Sequence, residues 1–171
     1  YTSALKQADK SGDKYGMVFS LNNIGVVYND KGDYDKALDY YKRSLAILEE
    51  YENKHWMGLI LNNIGLLNRY KGDNDKALDY YERSLAILEE FGDMREVGYT
   101  LLYIGIVNDN KGDYNKALDY YERSLAIQEE IGDKRGVGAI LSYIGRVNGN
   151  KGDYDNALSY YKRSLLISEK I

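Results

Sequence analysis

The sequence predicts an all-α fold: an α-α superhelix of antiparallel helix pairs, about nine helices in all. Three observations predict it. KGDYDKALDYYKRSLAILEE from Lys31 returns in near-copies from Lys71, Lys111 and Lys151, a spacing of forty residues. Within each period two apolar stripes at helical spacing are separated by Gly-Asp turns. Proline, which cuts helices short, is absent. Self-similarity at such a period marks stacked units that bury their apolar faces on one another.

Residues 1–17 read as the second helix and turn of a truncated preceding unit, because Gly12-Asp13-Lys14 matches Gly132-Asp133-Lys134 and sets Tyr1 opposite Tyr121, in mid-repeat. Four units follow over 18–57, 58–97, 98–137 and 138–171, the last ending where Ile171 matches Ile131. The expectation is a fragment of a longer array. In the first helix of a unit, Met17, Leu21, Ile24 and Tyr28 fall at spacings of four, three and four, the stripe of an amphipathic helix. Gly32 can take the left-handed conformation that ends it, and Asp33 can cap the next helix. Asp35 then sits in the first turn, at the favourable end of the helix dipole. The second helix repeats the stripe with Ala37, Tyr41, Leu45 and Leu48. Gly12, Gly92 and Gly132, each followed by Asp, join one unit to the next; Glu52-Asn53 takes that place once, and Asn tolerates the left-handed region. Each helix should span about 14 to 18 residues, or roughly 21 to 27 Å. Asp39 precedes Arg43 by four, as Asp79 precedes Arg83 and Asp119 precedes Arg123; such exposed pairs add only about 0.2 to 0.5 kcal/mol each.

A glycine inside the first helix costs about 1 kcal/mol relative to alanine and asks for a reason. Gly25, Gly65, Gly105 and Gly145 recur, as do Ala37, Ala77, Ala117 and Ala157, and Ser44, Ser84, Ser124 and Ser164. Small side chains facing one another let paired helices approach closely. On that reading Gly65→Leu wedges its hairpin apart.

Composition narrows function. There are 27 acidic and 23 basic residues, so the net charge is -4 and no basic field exists to hold nucleic acid or a membrane surface. No apolar run reaches transmembrane length, and YTSALKQADK lacks the apolar run and cleavage pattern of a signal peptide. With one histidine, no cysteine, no Gly-rich phosphate loop and no convergent acid pair outside the repeated caps, nothing assembles into a nucleophile and base. The chain reads as non-catalytic, with no cofactor and no metal. Asn108-Asp109-Asn110-Lys111-Gly112-Asp113 is similar in composition to a calcium loop, but a lysine interrupts the ligands and helix capping explains Gly112 and Asp113. His55-Trp56 sits in the irregular turn, read as cover for a loop ahead of a binding hot spot. Most of the 19 tyrosines fall at helical core spacing and read as packing.

Leu21, Ile24, Gly25, Tyr28, Gly32, Ala37, Tyr41 and Ser44, with equivalents in each later unit, resemble the tetratricopeptide repeat over essentially the whole chain. The resemblance implies a right-handed solenoid. The period is forty rather than the usual thirty-four, and an Ile-Leu-Glu-Glu continuation replaces the family's closing proline. This is similar to the longer-repeat branch found in polarity scaffolds, kinesin light chains and sensory proteins of bacteria and archaea. Tyr28 becomes Asn68, Asn108 and Asn148, which are either a structural asparagine ladder along the stack or a polar part of the groove.

The resemblance also implies that first helices line a concave face. Carried over by position, that face holds Phe19, Asn22, Asn23, Val26 and Asn29; then Leu59, Asn62, Asn63, Leu66, Arg69 and Tyr70; then Tyr99, Leu102, Tyr103, Ile106 and Asn110; then Ala139, Ser142, Tyr143, Arg146 and Asn150. Apolar patches interleaved with amides and aromatics suit a peptide or helix, since an asparagine amide satisfies both the donor and the acceptor of a backbone. One member of each pair Asn22-Asn23, Asn62-Asn63, Leu102-Tyr103 and Ser142-Tyr143 should pack on a neighbouring helix instead. The family's carboxylate clamp is absent: at its places stand Asn22, Val26, Asn63, Tyr99 and Tyr103, and only Asn63 agrees. The expected partner is a protein or peptide, with no nucleic acid and no membrane. A sensory or regulatory segment of a larger signalling protein is the alternative, and end-to-end self-association through Leu158, Leu165 and Ile167 is a third reading.

Overall fold

The computed structural model describes residues 2–51 and 53–169; Tyr1, Glu52 and Ile171, on which the expected register at the ends and at the irregular turn partly rests, lie outside the described residues. Among the described residues are nine helices: α1 (Thr2–Ser11), α2 (Lys14–Asp30), α3 (Tyr34–Glu50), α4 (Lys54–Tyr70), α5 (Asn74–Phe91), α6 (Met94–Asn110), α7 (Tyr114–Glu130), α8 (Lys134–Asn150) and α9 (Tyr154–Ser168). They form two compact units, Tyr1–Phe91 and Gly92–Ile171. The first holds α1 and the hairpins α2/α3 and α4/α5; the second holds the hairpins α6/α7 and α8/α9. First helices start at residues 14, 54, 94 and 134, four before the unit starts at 18, 58, 98 and 138, because the capping side chain rather than the first apolar residue marks a helix start.

The turns follow from local chemistry. Gly32 has φ +75°, and the Asp33 N–H reaches back to the Tyr28 carbonyl at 2.9 Å while Gly32 N–H bonds Asn29 O at 2.9 Å. That closes the end of α2 in a Schellman arrangement. Asp33 then accepts from Lys36 N–H at 3.4 Å and opens α3. The backbone closure recurs at Asp113, whose N–H bonds Asn108 O at 2.9 Å, although the Asp113 side chain makes no cap bond. Asn53 corrects an expectation: its φ is -82°, not left-handed, and it serves as the cap of α4 by accepting from Trp56 N–H at 3.2 Å.

Close approach within the hairpins is real: a Cβ at Gly145 would fall 3.2 Å from the Ala157 carbonyl oxygen, but in the other hairpins the nearest neighbour of the recurring glycine is an aromatic ring rather than a small residue. A Cβ at Gly25 would fall 2.6 Å from Cε1 of Tyr41, and at Gly105 2.5 Å from Cε1 of Tyr121. The glycine makes room for an aromatic ring of the partner helix. The recurring serine acts separately, through its hydroxyl. Ser84, Ser124 and Ser164 donate to the carbonyls of Gly58, Gly98 and Gly138 respectively, each at 2.7 Å. Each bond joins the two helices of one hairpin and satisfies a buried hydroxyl.

Around these contacts each unit builds its own core. In the first, Val18, Ala37, Tyr41, Leu48, Ile60, Ile64 and Leu67 cluster; in the second, Leu102, Ile106, Ala117, Tyr121, Ile140, Ile144 and Val147. Burial pushes the Tyr41 phenol up to about 12, and that of Tyr121 up as well. The Nδ2 groups of Asn68, Asn108 and Asn148 are satisfied within their own helices. Each donates to the carbonyl four residues back in its own helix, Ile64, Ile104 and Ile144, at 2.8 to 2.9 Å. A buried amide is satisfied most directly by the carbonyl one turn below it.

Candidate binding faces

In the first unit the face formed by α2 and α4 is rich in amides. Asn63 Nδ2 donates to Asn22 Oδ1 at 2.8 Å, tying the two first helices together. Both amides are half-buried, and each has donor and acceptor capacity beyond that one bond. Asn23, Val26, Leu59 and Leu66 beside them are also half-buried, while Asn62 is buried. Phe19 is exposed and meets Trp56 edge-on, with ring centroids 6.4 Å apart. Trp56 lies in the first turn of α4 rather than in the irregular turn where the sequence placed it, and packs against the unit's core. At the other end, Arg69 lies over the Tyr70 ring at 4.9 Å, and Tyr70 stacks on Tyr34 at 6.3 Å. Asn29 Oδ1 and Arg69 Nε are sealed from solvent without a hydrogen-bond partner among the described residues.

The second unit uses different chemistry at the same repeat positions. Leu102 and Ile106 are buried in the core and floor the face formed by α6 and α8. Where Asn22 meets Asn63 in the first unit, Leu102 and Tyr143 stand here, so an amide junction becomes an apolar one. Tyr143 stacks on Tyr121 at 5.6 Å and carries Arg146 over its ring at 5.0 Å. Arg146 in turn reaches Asp109 Oδ2 from Nε at 3.1 Å and from Nη2 at 2.5 Å. The Asp109 side chain is almost wholly buried and the arginine half-exposed, so the acid belongs to the fold and the base faces outward. Tyr99 donates to Asp133 Oδ2 at 2.6 Å, which raises the Tyr99 phenol to about 12 and lowers the Asp133 carboxyl. Ser142 bonds Gly138 O and Ser164 Oγ inside its own hairpin. Tyr103 is half-buried, and Asn110, Ala139 and Asn150 are exposed.

Of the residues expected on the concave face, Asn62, Leu102 and Ile106 are buried, and so are support rather than surface. Sequence reasoning missed Asp109. A signal existed: Asp109 is the one carboxylate at a position that reads Asn29, Arg69 and Gly149 elsewhere. Arg146 is likewise the one cation where Val26, Leu66 and Ile106 stand. An acid and a base that each appear once, in adjacent repeats, compensate each other. Among the described residues no three His, Asp or Glu side chains converge to hold a metal, and no helix is long and apolar enough to cross a membrane. A half-open cavity of about 460 Å³ in the first unit lies among Leu5, Lys6, Met17, Leu21, Arg43, Ala46 and Ile47 and includes none of the residues expected on the concave face.

A family model described as tetratricopeptide repeat matches residues 16–90 and 96–170. Among solved structures, the apo form of RapI matches with a TM-score of 0.87 at 20% identity, covering 97% of this chain and 46% of that one. BtubC (BKLC) from P. vanneervenii matches at 0.83 and 20% identity, covering 92% and 65%. MamA matches at 0.70 and 21%, covering 97% and 95%. The chain thus spans under two thirds of BtubC and under half of RapI. At such identities the likeness is one of fold. No curated protein matches the sequence.

Proposed function

Because this chain belongs to the tetratricopeptide-repeat family, we propose that it is a non-catalytic scaffold that binds a protein partner on the first-helix face of each unit. The partner presents an extended peptide or a single helix. One observation carries the reading: the Asn22–Asn63 amide pair joins α2 to α4 at the surface with half-buried apolar side chains around it. Amides held in place by each other have lost little further freedom when they meet a peptide backbone, which needs one donor and one acceptor per residue. Half-buried aliphatic neighbours offer shallow pockets for alternate side chains of an extended strand.

The second unit divides the work differently. Tyr103 and Tyr143 supply rigid area with a polar tip, and Arg146, anchored from behind by Asp109, turns its remaining N–H donors toward a ligand carbonyl or carboxylate. The two faces therefore differ in the ligand chemistry they suit.

Selection of peptides from a random display library against the whole chain tests the reading. Asn22→Ala and Asn63→Ala should each weaken the selected peptide severalfold without changing the far-UV circular dichroism. Exposed Lys42→Ala on α3 should leave affinity unchanged. Equal affinity of all three variants would move the site off the first helices.

A further inference from the structure

We propose that the contacts in which the two units differ select the neighbour each hairpin accepts, so that near-identical repeats stack in order and do not exchange with another copy of the chain. Near-identity is the hazard. α3 and α7 differ only where Asp35, Lys42 and Leu48 become Asn115, Glu122 and Gln128. The core they offer the next first helix is also alike. Ala37 and Tyr41 share a cluster with Ile60, Ile64 and Leu67 of α4, and Ala117 and Tyr121 share one with Ile140, Ile144 and Val147 of α8. By those contacts alone α4 and α8 are interchangeable, and wrong stacking or exchange between copies is the characteristic failure of repeat chains. Other residues must tell the hairpins apart.

The first helices supply one discriminator. In the first unit Asn63 donates to Asn22 at 2.8 Å; in the second the matching places hold Tyr143 and Leu102, and Arg146 Nε reaches Asp109 at 3.1 Å. Each pair is complete only with its own partner. With α8 in the place of α4, Tyr143 faces Asn22 and Arg146 faces Asn29, so the amide pair is lost and the cation has no acid. With α4 in the place of α8, Leu66 faces Asp109, whose side chain is only 4% exposed. A buried carboxylate stripped of its partner is strongly destabilising. The native ion pair adds little over well-packed apolar residues of like volume, so what it supplies is choice of partner.

Gln128 discriminates by exclusion. It is wholly buried at a place that holds Leu48 in α3 and Leu88 in α5. Neither atom of its amide has a hydrogen-bond partner among the described residues, so it adds no attraction toward its native neighbour. Against it α8 carries Gly136, where a Cβ alone would come to 3.1 Å from Gln128 Cδ. At the same place α4 carries Trp56. An indole has no room there, because a packed interior does not yield to so large a side chain. Gln128 with Gly136 therefore admits α8 and rejects α4, independently of the Asp109–Arg146 pair.

Refolding of the whole chain from urea over a range of chain concentrations tests the proposal, read by sedimentation velocity and by the urea midpoint. A chain with Asp109→Asn, Arg146→Leu and Gln128→Leu takes the residues that stand at those places as Asn29, Leu66 and Leu48. It should keep a midpoint close to the parent's or above it, and yet leave severalfold more dimer after refolding. Concentrating the same variant without unfolding it should give no such dimer, because hairpins exchange only through an opened chain. Lys42→Glu, which makes α3 still more like α7 and touches none of the discriminating contacts, should refold as the parent does. If the triple variant does not fold, Asp109→Asn with Arg146→Leu alone carries the same expectation. A stable variant that refolds with no more dimer than the parent overturns the proposal, and so does a dimer that forms equally without unfolding. A steep fall of the midpoint in both variants overturns it as well, since these residues then hold the fold together rather than choose a neighbour.

Discussion

Alanine at Gly105, Gly145 and Gly149 should change the stability of the second unit in three different ways, although all three glycines lie within helices α6 and α8. Helix propensity alone favours alanine by up to about 1 kcal/mol at each. Space decides what survives of that gain. At Gly149 the nearest atom to the new Cβ is Ala157 Cβ at 3.8 Å, an ordinary contact, so the variant should be stabilised by about 0.5 to 1 kcal/mol. At Gly145 the Tyr161 ring comes to 3.1 Å and, being partly exposed, can swing, while the Ala157 backbone carbonyl at 3.2 Å must give by a few tenths of an ångström, so the gain and the strain should roughly cancel. At Gly105 the Tyr121 ring stands at 2.5 Å and is wholly buried, with no room to retreat. Overpacking of about 1 to 3 kcal/mol then outweighs propensity, for a net loss of about 1 to 2 kcal/mol. Urea unfolding followed by far-UV circular dichroism gives the midpoints. Amide exchange in α6 to α8 localises the change, since stacked repeats need not unfold as one. If Gly105→Ala is as stable as Gly149→Ala, ring-on-glycine packing does not explain the recurring glycine.

Other perturbations follow from the same geometry. Arg146→Ala strands the buried Asp109 carboxylate and should cost about 1 to 3 kcal/mol, less than a fully buried pair because the arginine is half-exposed; Asp109→Asn in the same chain should recover part of it, read as a urea midpoint. Ser124→Ala removes the 2.7 Å bond to the Gly98 carbonyl and should cost about 1 to 2 kcal/mol by thermal melting. The Asp133 carboxyl is held low first by the Tyr99 hydroxyl and next by Gly136 N–H, so its stabilisation is present above the unfolded value of 3.8 and lost as pH falls through the lower folded value. Tyr99→Phe should therefore cost about 1 kcal/mol at neutral pH, and the difference between the two chains should shrink as pH falls below 3.8, when their urea midpoints are compared.

The turns and helices are legible in the sequence because their causes are local. Gly32 and Asp33 act within a few residues of themselves, so the pattern and the structure agree on where α2 ends and α3 begins. Partners across a hairpin are not legible. The repeat shows that Gly25, Ala37 and Ser44 are small, but not that Gly25 lies under Tyr41 while the Ser44 hydroxyl donates to Val18 O. The forty-residue recurrence of Asn68 suggests a rung of a ladder, whereas a side-chain rotamer decides that it bonds Ile64 in its own helix. Position alone puts Asn22 and Asn63 on the same face, but the bond between them depends on the offset of one repeat against the next. The Asp109–Arg146 pair escapes a reading of the sequence because only the base lies on the expected face, while the acid beneath it looks like part of a turn.

The most direct measurement is the amide resonance map of the chain titrated with a library-selected peptide. Binding on the first-helix faces predicts shifts concentrated at Asn22, Asn23 and Asn63, or at Tyr103, Tyr143 and Arg146, with α3 and α7 largely unmoved. Shifts confined to the exposed sides of α3, α5, α7 or α9 would contradict it.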